Sequence, residues 1–114
     1  MARRLDIQSE TRDAVAVVAP SGDVDLEVSQ QLRKELLDCI ERTGDVIVDM
    51  AGVGYIDSSG IAALIEAFQT ARKRSRRFAL AQVPERAYRV LKIARLDRVF
   101  PLQDSVDTGF GSAA

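Results

Sequence analysis

The chain has 114 residues, of which 46% are hydrophobic, 29% charged and 5% aromatic, and its formal net charge is −1. Its length is near that of one domain, and its composition is that of a folded chain rather than a disordered one. With no histidine and with Cys39 as the one cysteine, the Cys/His zinc sites, the Ser-His-Asp triad and an intrachain disulfide are all excluded.

Membrane insertion and secretion are not expected either. No apolar run approaches the roughly 18 residues of a membrane span, and no apolar stretch follows Arg3 and Arg4 as it would in a signal peptide. We therefore expect a cytoplasmic protein. The small net charge conceals a split, because residues 1–57 carry −6 and residues 58–114 carry +5. This split permits a polar partner surface or weak self-attraction.

Two strands are predicted first. A weak strand over residues 5–9 precedes an apolar, β-branched strand over residues 14–19, and residues 11–13 would join them as a hairpin. Pro20 and a following glycine end the second strand. Residues 21–25 are then expected to form a polar loop between strand and helix.

An amphipathic helix and a third strand come next. From Leu26 to Ile40 apolar residues recur about every fourth position, and the Thr-Gly pair that follows Arg42 is a helix stop. Cys39 is interpreted as a core residue of this helix rather than a redox-active thiol. Residues 46–50 form the strand, and residues 51–56 carry the chain to Asp57.

The remaining elements complete an alternating pattern. A second helix is predicted from Ser58 to about Arg74, a strand over residues 78–81, and a third helix from Pro84, a favourable first residue, through Leu96. Residues 99–102 would form a short edge strand, where proline is tolerated.

The order β-β-α-β-α-β-α, with an optional last strand, predicts an α/β single domain with a mixed sheet of four to five strands. We expect the domain to span residues 1–114, its core residues 5–102, and a flexible tail residues 103–114.

The Asp57-Ser58-Ser59-Gly60 turn is the candidate centre of function. It follows a strand and opens a helix, so Asp57 or Ser58 can cap the unpaired N–H groups of the first turn, for about 1 kcal/mol. A capped helix start would explain the turn by itself. However, two adjacent hydroxyls exceed what a cap needs, and functional sites gather at the carboxyl ends of strands in α/β proteins. An exposed Ser58 would also be accessible to a kinase.

Three segments, Gly22-Asp23-Val24-Asp25, residues 46–50 and Tyr55-Ile56-Asp57-Ser58-Ser59-Gly60-Ile61, resemble in sequence and spacing the STAS-domain anti-sigma factor antagonists. The resemblance extends from about residue 5 to residue 102. It implies a STAS-like fold and a protein that binds an anti-sigma factor which is also a serine kinase. It further implies phosphorylation at Ser58, which abolishes that binding, and a phosphoserine phosphatase that restores it.

By the same resemblance, the partner-binding surface consists of Gly22, Asp23, Val24, Asp25, Asp57, Ser58, Ser59, Gly60 and Ile61. No metal, catalytic residue or cofactor is expected in this chain, because the kinase would bring ATP and Mg²⁺. We expect a monomer when free, with no direct contact to nucleic acid or membrane. Two alternatives stay open: a STAS regulatory or scaffold subunit with another output (a secretion regulator, a stressosome or a lipid-transport complex), and, more remotely, an enzyme with Ser58 as nucleophile.

Other polar residues have simpler interpretations. The five cations within residues 72–77 are interpreted as a solvated helix end, because no aromatic residues interleave for base stacking. Cations recurring every third residue from Arg86 to Arg98 are interpreted as the wet face of the third helix, with contact to an acidic partner as the alternative. Tyr55 is expected to pack, and Asp49 to bond nearby backbone.

Overall fold

The computed structural model describes residues 3–107 and residue 110. Over this part of the chain, strands and helices alternate after an initial hairpin. The strands are β1 (Asp6–Arg12), β2 (Val15–Val24), β3 (Asp45–Asp49), β4 (Val53–Ile56), β5 (Phe78–Ala81) and β6 (Leu102–Gln103). The helices are α1 (Ser29–Arg42), α2 (Ser58–Lys73) and α3 (Glu85–Ile93), followed by a 3₁₀ turn at Leu96–Arg98.

The strands form one mixed sheet in the order β1-β2-β3-β5-β6, with β4 paired to the far half of β2. Among the described residues the β1–β2 hairpin is antiparallel, and the other strand pairs are parallel. The predicted α/β fold with a mixed sheet is therefore confirmed, with six strands among the described residues rather than four or five.

Strand β2 pairs with three other strands, β1, β3 and β4, and it is longer than the sequence predicts. Pro20 does not end it: β2 continues to Val24, so the loop expected over residues 21–25 is largely strand. The first half of β2 pairs with β3 as far as Val18, and the second half pairs with β4 from Gly22. Pro20 lies between these two pairings, so the N–H that proline lacks interrupts neither of them.

Strand β4 lies in the connection that the sequence analysis left without structure over residues 51–56. The hairpin turn also differs from the prediction. β1 runs through Arg12, and the turn consists of Asp13 and Ala14, both left-handed with φ of 50° and 67°. Two-residue hairpin turns favour this conformation because its twist matches that of the strands.

Both shorter helices differ from the sequence prediction at their ends. Helix α1 begins at Ser29 rather than Leu26, because the Asp25 carbonyl first accepts the N–H groups of Val28 and Ser29 in a turn, at 3.1 and 2.9 Å. Helix α3 ends at Ile93 rather than Leu96, since Arg95 has a left-handed φ of 61°.

Small shifts also occur on either side of α3. Pro84 precedes the first helical residue instead of being it. The last strand is Leu102–Gln103 instead of residues 99–102, and Pro101 lies just before it, with its carbonyl accepting the Leu80 amide at 2.9 Å.

All three helices pack on one face of the sheet. Their apolar stripes meet alternate strand residues in a single buried cluster, which includes Val18, Val48 and Leu80 from the strands. Cys39 is buried in this cluster, which confirms it as a core residue. Burial, with a smaller contribution from Glu35, raises the pKa of its thiol. No helix in the described part of the chain is both long and apolar enough to cross a bilayer.

The other face of the sheet is partly covered by the end of the chain. Val15, Ile47 and Ala81 form a second buried cluster there, against which Val106 and Phe110 pack. The segment for which the sequence predicts flexibility therefore includes two residues that contact the sheet. The rest of that predicted tail at residues 108–109 and 111–114 lies outside the described residues.

Candidate functional site

The candidate site lies where β2 and β4 end side by side. Val24 is paired with Ile56, the last residue of β4, and the N–H of Asp57 donates to the Val24 carbonyl at 3.1 Å. The loop after β2 and the start of α2 are thus held together by strand pairing. This arrangement unites the two motifs, around Asp23 and around Ser58, that the sequence analysis singled out separately.

Asp57 caps helix α2 through one carboxylate oxygen. Its Oδ1 accepts the amides of Ser59 and Gly60 at 2.9 and 3.1 Å and the Ser59 hydroxyl at 2.6 Å. The Ser59 hydroxyl is the largest of the causes that lower the pKa of Asp57, followed by backbone amides that include that of Leu26, while burial opposes them. The predicted cap is confirmed, and Asp57 rather than Ser58 supplies it.

The two serines of the turn have different environments. Ser59 is half-buried, and its hydroxyl is engaged by Asp57. Ser58 is exposed, and its hydroxyl has no hydrogen-bond partner within the described residues. A reagent or enzyme arriving from solvent would therefore meet the Ser58 hydroxyl in a free state.

Gly60 permits the close approach of α2 to the strands. A Cβ atom at this position would lie 2.7 Å from Cγ1 of Ile56 and 2.8 Å from Cγ1 of Val24. Gly60, Val24 and Ile61 are buried. These three members of the predicted partner-binding surface are thus not exposed to a partner in this conformation. They instead pack beneath the exposed residues of the site.

The exposed part of the site is acidic and is held by the start of the chain. Gly22 and Asp23 are exposed and Asp25 is partly so. The Arg3 guanidinium donates to the Asp23 carbonyl at 3.1 Å and to Oδ1 of Asp25 at 2.6 Å. The backbone amide of Arg3 also donates to the Glu27 carboxylate. Arg3 therefore orders the loop after β2, a role that its position in the sequence did not indicate.

Two exposed apolar side chains flank the turn, and the sequence analysis missed both. Leu26 is 76% exposed, although the periodicity assigned it to the buried side of α1. Tyr55 is 53% exposed, so the expectation that it packs is wrong. The inward positions of β4 are Val53 and Ile56, which leaves Tyr55 facing solvent next to Asp23 across the strand pair. We call the exposed or partly exposed residues Asp23, Asp25, Leu26, Tyr55, Asp57 and Ser58 the Ser58 face.

The remaining polar residues lie outside this face. Asp49 accepts the Ala51 amide at 3.1 Å, which confirms the expected backbone bond. The cations of residues 72–77 are exposed at the end of α2, as predicted, but Arg77 also bonds both carboxylate oxygens of Asp45 and lies 4.5 Å from the Phe110 ring centroid. Within the described ranges no group of three or more Cys, Asp or Glu side chains could hold a metal ion.

This architecture, a mixed sheet with helices on one face and a serine turn between its strands and α2, defines a class of small α/β domain. The family model of the STAS domain matches residues 6–109, so the chain belongs to the STAS domain family.

Individual relatives agree with this assignment. The chain is 22% identical over 103 residues to an anti-sigma F factor antagonist of Paenibacillus polymyxa, which covers 89% of this chain and 88% of the relative. An anti-sigma factor antagonist from Mycobacterium paratuberculosis superposes with a TM-score of 0.82 at 22% identity, covering 90% of this chain and 88% of the other. The Bacillus cell fate determinant SpoIIAA in its phosphorylated form gives 0.71 at 17% identity, with 90% and 93% covered.

Proposed function

We propose that this protein is an anti-sigma factor antagonist that works by partner switching. In its unphosphorylated form it binds an anti-sigma factor that is also a serine kinase, which releases that factor's target. Phosphorylation at Ser58 abolishes the binding. The observation that carries the proposal is the free, exposed hydroxyl of Ser58 beside a Ser59 hydroxyl that Asp57 engages.

The electrostatics of the turn support a switch that acts at the interface rather than on the fold. A phosphoryl group on Ser58 would add about −1.5 to −2 charges at pH 7 at the start of α2. A helix N-terminus attracts anions, so the fold should tolerate the group. The same group would bring bulk and negative charge to a face that already carries Asp23 and Asp57. A partner that fits the unmodified face would then be repelled.

The exposed apolar residues supply the contact area that the acidic residues cannot. Leu26 and Tyr55 have 76% and 53% of their surface exposed next to the turn. A few fully desolvated side chains, tyrosine prominent among them, account for most of the affinity at protein interfaces, and burial of a leucine adds about 1.5–3 kcal/mol. We infer that these two side chains anchor the anti-sigma factor.

Other components of the cycle follow from the chemistry of this switch. The chain itself would need no cofactor, because the kinase would supply ATP and Mg²⁺, and a separate phosphoserine phosphatase would restore Ser58. Because the partner is a protein, no contact with nucleic acid or membrane is part of the proposal, and the cycle would run in the cytoplasm. A cascade that ends at a secretion regulator, a stressosome or a lipid-transport complex could use the same face.

The nucleophile alternative lacks a base. The chain contains no histidine, and no described side chain hydrogen-bonds the Ser58 hydroxyl. A serine nucleophile needs an adjacent group to take its proton. Reaction of Ser58 with a fluorophosphonate probe would support this alternative against the proposal.

The deciding experiment mixes this chain with its candidate kinase and Mg-ATP and maps the phosphate by mass spectrometry. We expect one phosphate, on Ser58, in the wild type and in Ser59→Ala, and none in Ser58→Ala. Phosphate on Ser59 alone would contradict the site. Phosphate on Ser58 with unchanged affinity for the kinase would contradict the switch.

A further inference from the structure

Two exposed apolar residues lie among cations near the end of α3. Ile93 is 85% exposed and Val99 is 45% exposed. Lys92, Arg95, Asp97 and Arg98, their neighbours in the sequence, line a depression of about 390 Å³. We call the five residues Lys92, Ile93, Arg95, Arg98 and Val99 the basic end.

The structure differs here from the solvent-exposed helix face that the sequence suggests. A regular helix would present its cations on a convex surface. Instead Arg95 has a φ of 61°, ends α3, and starts the 3₁₀ turn Leu96–Arg98, so the chain folds back around a concavity. The left-handed region is unfavourable for a residue with a Cβ by roughly 1 kcal/mol. Arginine rather than glycine at this position keeps a cation in the depression.

These cations are free to meet a partner. Within the described residues, Arg89 pairs with Glu85, whereas Lys92, Arg95 and Arg98 take part in no salt bridge. Asp97 is the one carboxylate among the four residues that line the depression, so the lining keeps a net positive charge. Unpaired cations around an exposed isoleucine are the complement of an acidic surface that presents an apolar side chain.

The basic end is separate from the Ser58 face. Phe100, next to Val99, contacts the rings of Phe68 and Phe78, with centroids 5.5 and 6.4 Å apart. Phe78 is the first residue of β5, and Ser58 lies two residues after Ile56, the last residue of β4, a parallel strand of the same sheet. Phe68 is ten residues along α2 from Ser58, or about 15 Å of helix. The two surfaces thus lie toward opposite ends of the domain.

We propose that the basic end binds an acidic segment of a second protein partner, with an apolar side chain of that segment against Ile93 and Val99. The concave shape suits a protruding side chain better than a flat bilayer. Among the five residues there is no aromatic ring on which a nucleic-acid base could stack. This interaction goes beyond the proposed function and does not depend on phosphorylation at Ser58.

A peptide titration followed by ¹⁵N amide spectra tests the proposal. The probe is an acetylated dodecapeptide of glutamate and leucine with every third residue leucine, and the matched probe replaces leucine by serine. We expect saturable shifts centred on residues 92–99 with the first probe. Binding of the serine probe should be about tenfold weaker, because burying one leucine is worth more than 1 kcal/mol. Both interactions should weaken in 0.5 M salt, where charges are screened within about 4 Å.

Two variants localise the interaction. Ile93→Ser removes the apolar contact, and Arg95→Gly removes the cation while suiting the left-handed backbone, so each should weaken the leucine probe at least about fivefold. Arg74→Ala, which removes an exposed cation at the end of α2, is the matched control and should leave binding unchanged.

Several results would overturn the proposal. These are shifts centred on residues 72–77, equal affinity for both probes, or no saturable shift at millimolar peptide. Shifts that depend on the concentration of this chain alone would assign the patch to a second copy. Binding instead to vesicles of phosphatidylglycerol and phosphatidylcholine, or to a DNA duplex, would assign it to those partners. None of these outcomes would alter the Ser58 proposal, since its readout is phosphate mapping.

Discussion

Oδ1 of Asp57 accepts both the amide and the hydroxyl of Ser59, at 2.9 and 2.6 Å. The pair fixes the first turn of α2 and occupies the second serine of the turn. Since Ser58 makes no such bond among the described residues, the cap itself separates the roles of two adjacent, chemically identical side chains. One hydroxyl serves the fold, and the other is exposed and unbonded among the described residues.

Substitution at Ser58 should therefore change binding without changing the fold. Ser58→Asp should weaken affinity for the anti-sigma factor by roughly 100-fold, because misplaced like charge at an interface costs several kcal/mol, and Ser58→Ala should bind persistently in the presence of Mg-ATP. Ser59→Ala is the control: it loses a hydrogen bond worth about 1 kcal/mol of stability but keeps near-native affinity. Calorimetric titration measures the affinities. Wild-type affinity of Ser58→Asp would refute a clash at the interface.

The apolar residues of the Ser58 face should contribute to affinity but not to stability. Leu26→Ala and Tyr55→Ala should each weaken the complex by about 1–3 kcal/mol. Each should change the free energy of unfolding by less than about 0.5 kcal/mol, because both side chains are exposed. Tyr88→Ala, on α3, tests whether loss of any surface tyrosine has this effect. Equal losses for Tyr55 and Tyr88 would argue against a localised anchor.

The cap should make stability depend on pH in a defined direction. The pKa of Asp57 is lowered in the folded state, mainly by the Ser59 hydroxyl. Its charge therefore stabilises the fold fully above the unfolded pKa of about 4 and stops doing so as pH falls through the folded pKa. Asp57→Asn keeps an acceptor oxygen but has no charge. Urea unfolding from pH 7 to 2.5 should show the wild-type advantage shrinking below about pH 4. An advantage that grows on acidification would contradict this assignment.

Adding a methyl group at Gly60 should disrupt the contact between α2 and the strands. The new Cβ would lie 2.7 Å from Ile56 and 2.8 Å from Val24, both buried. We expect Gly60→Ala to destabilise the protein by about 1–3 kcal/mol despite the better helix propensity of alanine. Gly54→Ala is matched, because its Cβ would meet just the end of the Asp23 side chain, at 3.3 Å. A Gly60→Ala variant as stable as Gly54→Ala would show that α2 can move away freely.

The hairpin turn offers a stabilising substitution remote from both surfaces. Ala14 has a φ of 67°, a conformation that glycine adopts without the Cβ penalty. Ala14→Gly should raise the free energy of unfolding by about 0.5–1 kcal/mol, the penalty relieved less the added flexibility of the unfolded chain. The urea midpoint, at constant m-value, is the measurement. A lower midpoint would mean that the turn changes conformation in the variant.

The periodicity of apolar residues predicted the helices and strands best where it extends over several residues. Helix α2 and strand β5 have the expected bounds to within a residue. Helix α2 carries an apolar stripe of helical period, and β5 is an unbroken run of four apolar residues. Strand β4 could not be predicted, because four residues including a glycine show no clear period. The continuation of β2 past Pro20 depends on which strands lie beside it. The sequence of one strand does not determine which distant strand it pairs with.

The structure changes which residues of the candidate site are exposed. The sequence shows the motifs around Asp23 and Ser58 as separate features, and the pairing of Val24 with Ile56 brings them together. Burial removes Val24, Gly60 and Ile61 from the exposed surface, whereas Leu26 and Tyr55 join it. Apolar residues look alike in a sequence whether they face the core or solvent. Their direction is fixed by the turn before α1 and by the register of β4.

The burial of Cys39 has a practical consequence. It is the one thiol of the chain, it lies inside the core, and its pKa is raised, so it should react slowly with maleimides, which attack the thiolate. The wild-type protein should therefore give little background reaction when an introduced cysteine is labelled. A cysteine introduced at Leu26 or Ile93 would carry a fluorophore on one chosen surface, and the two faces could then be observed independently in the same binding mixture.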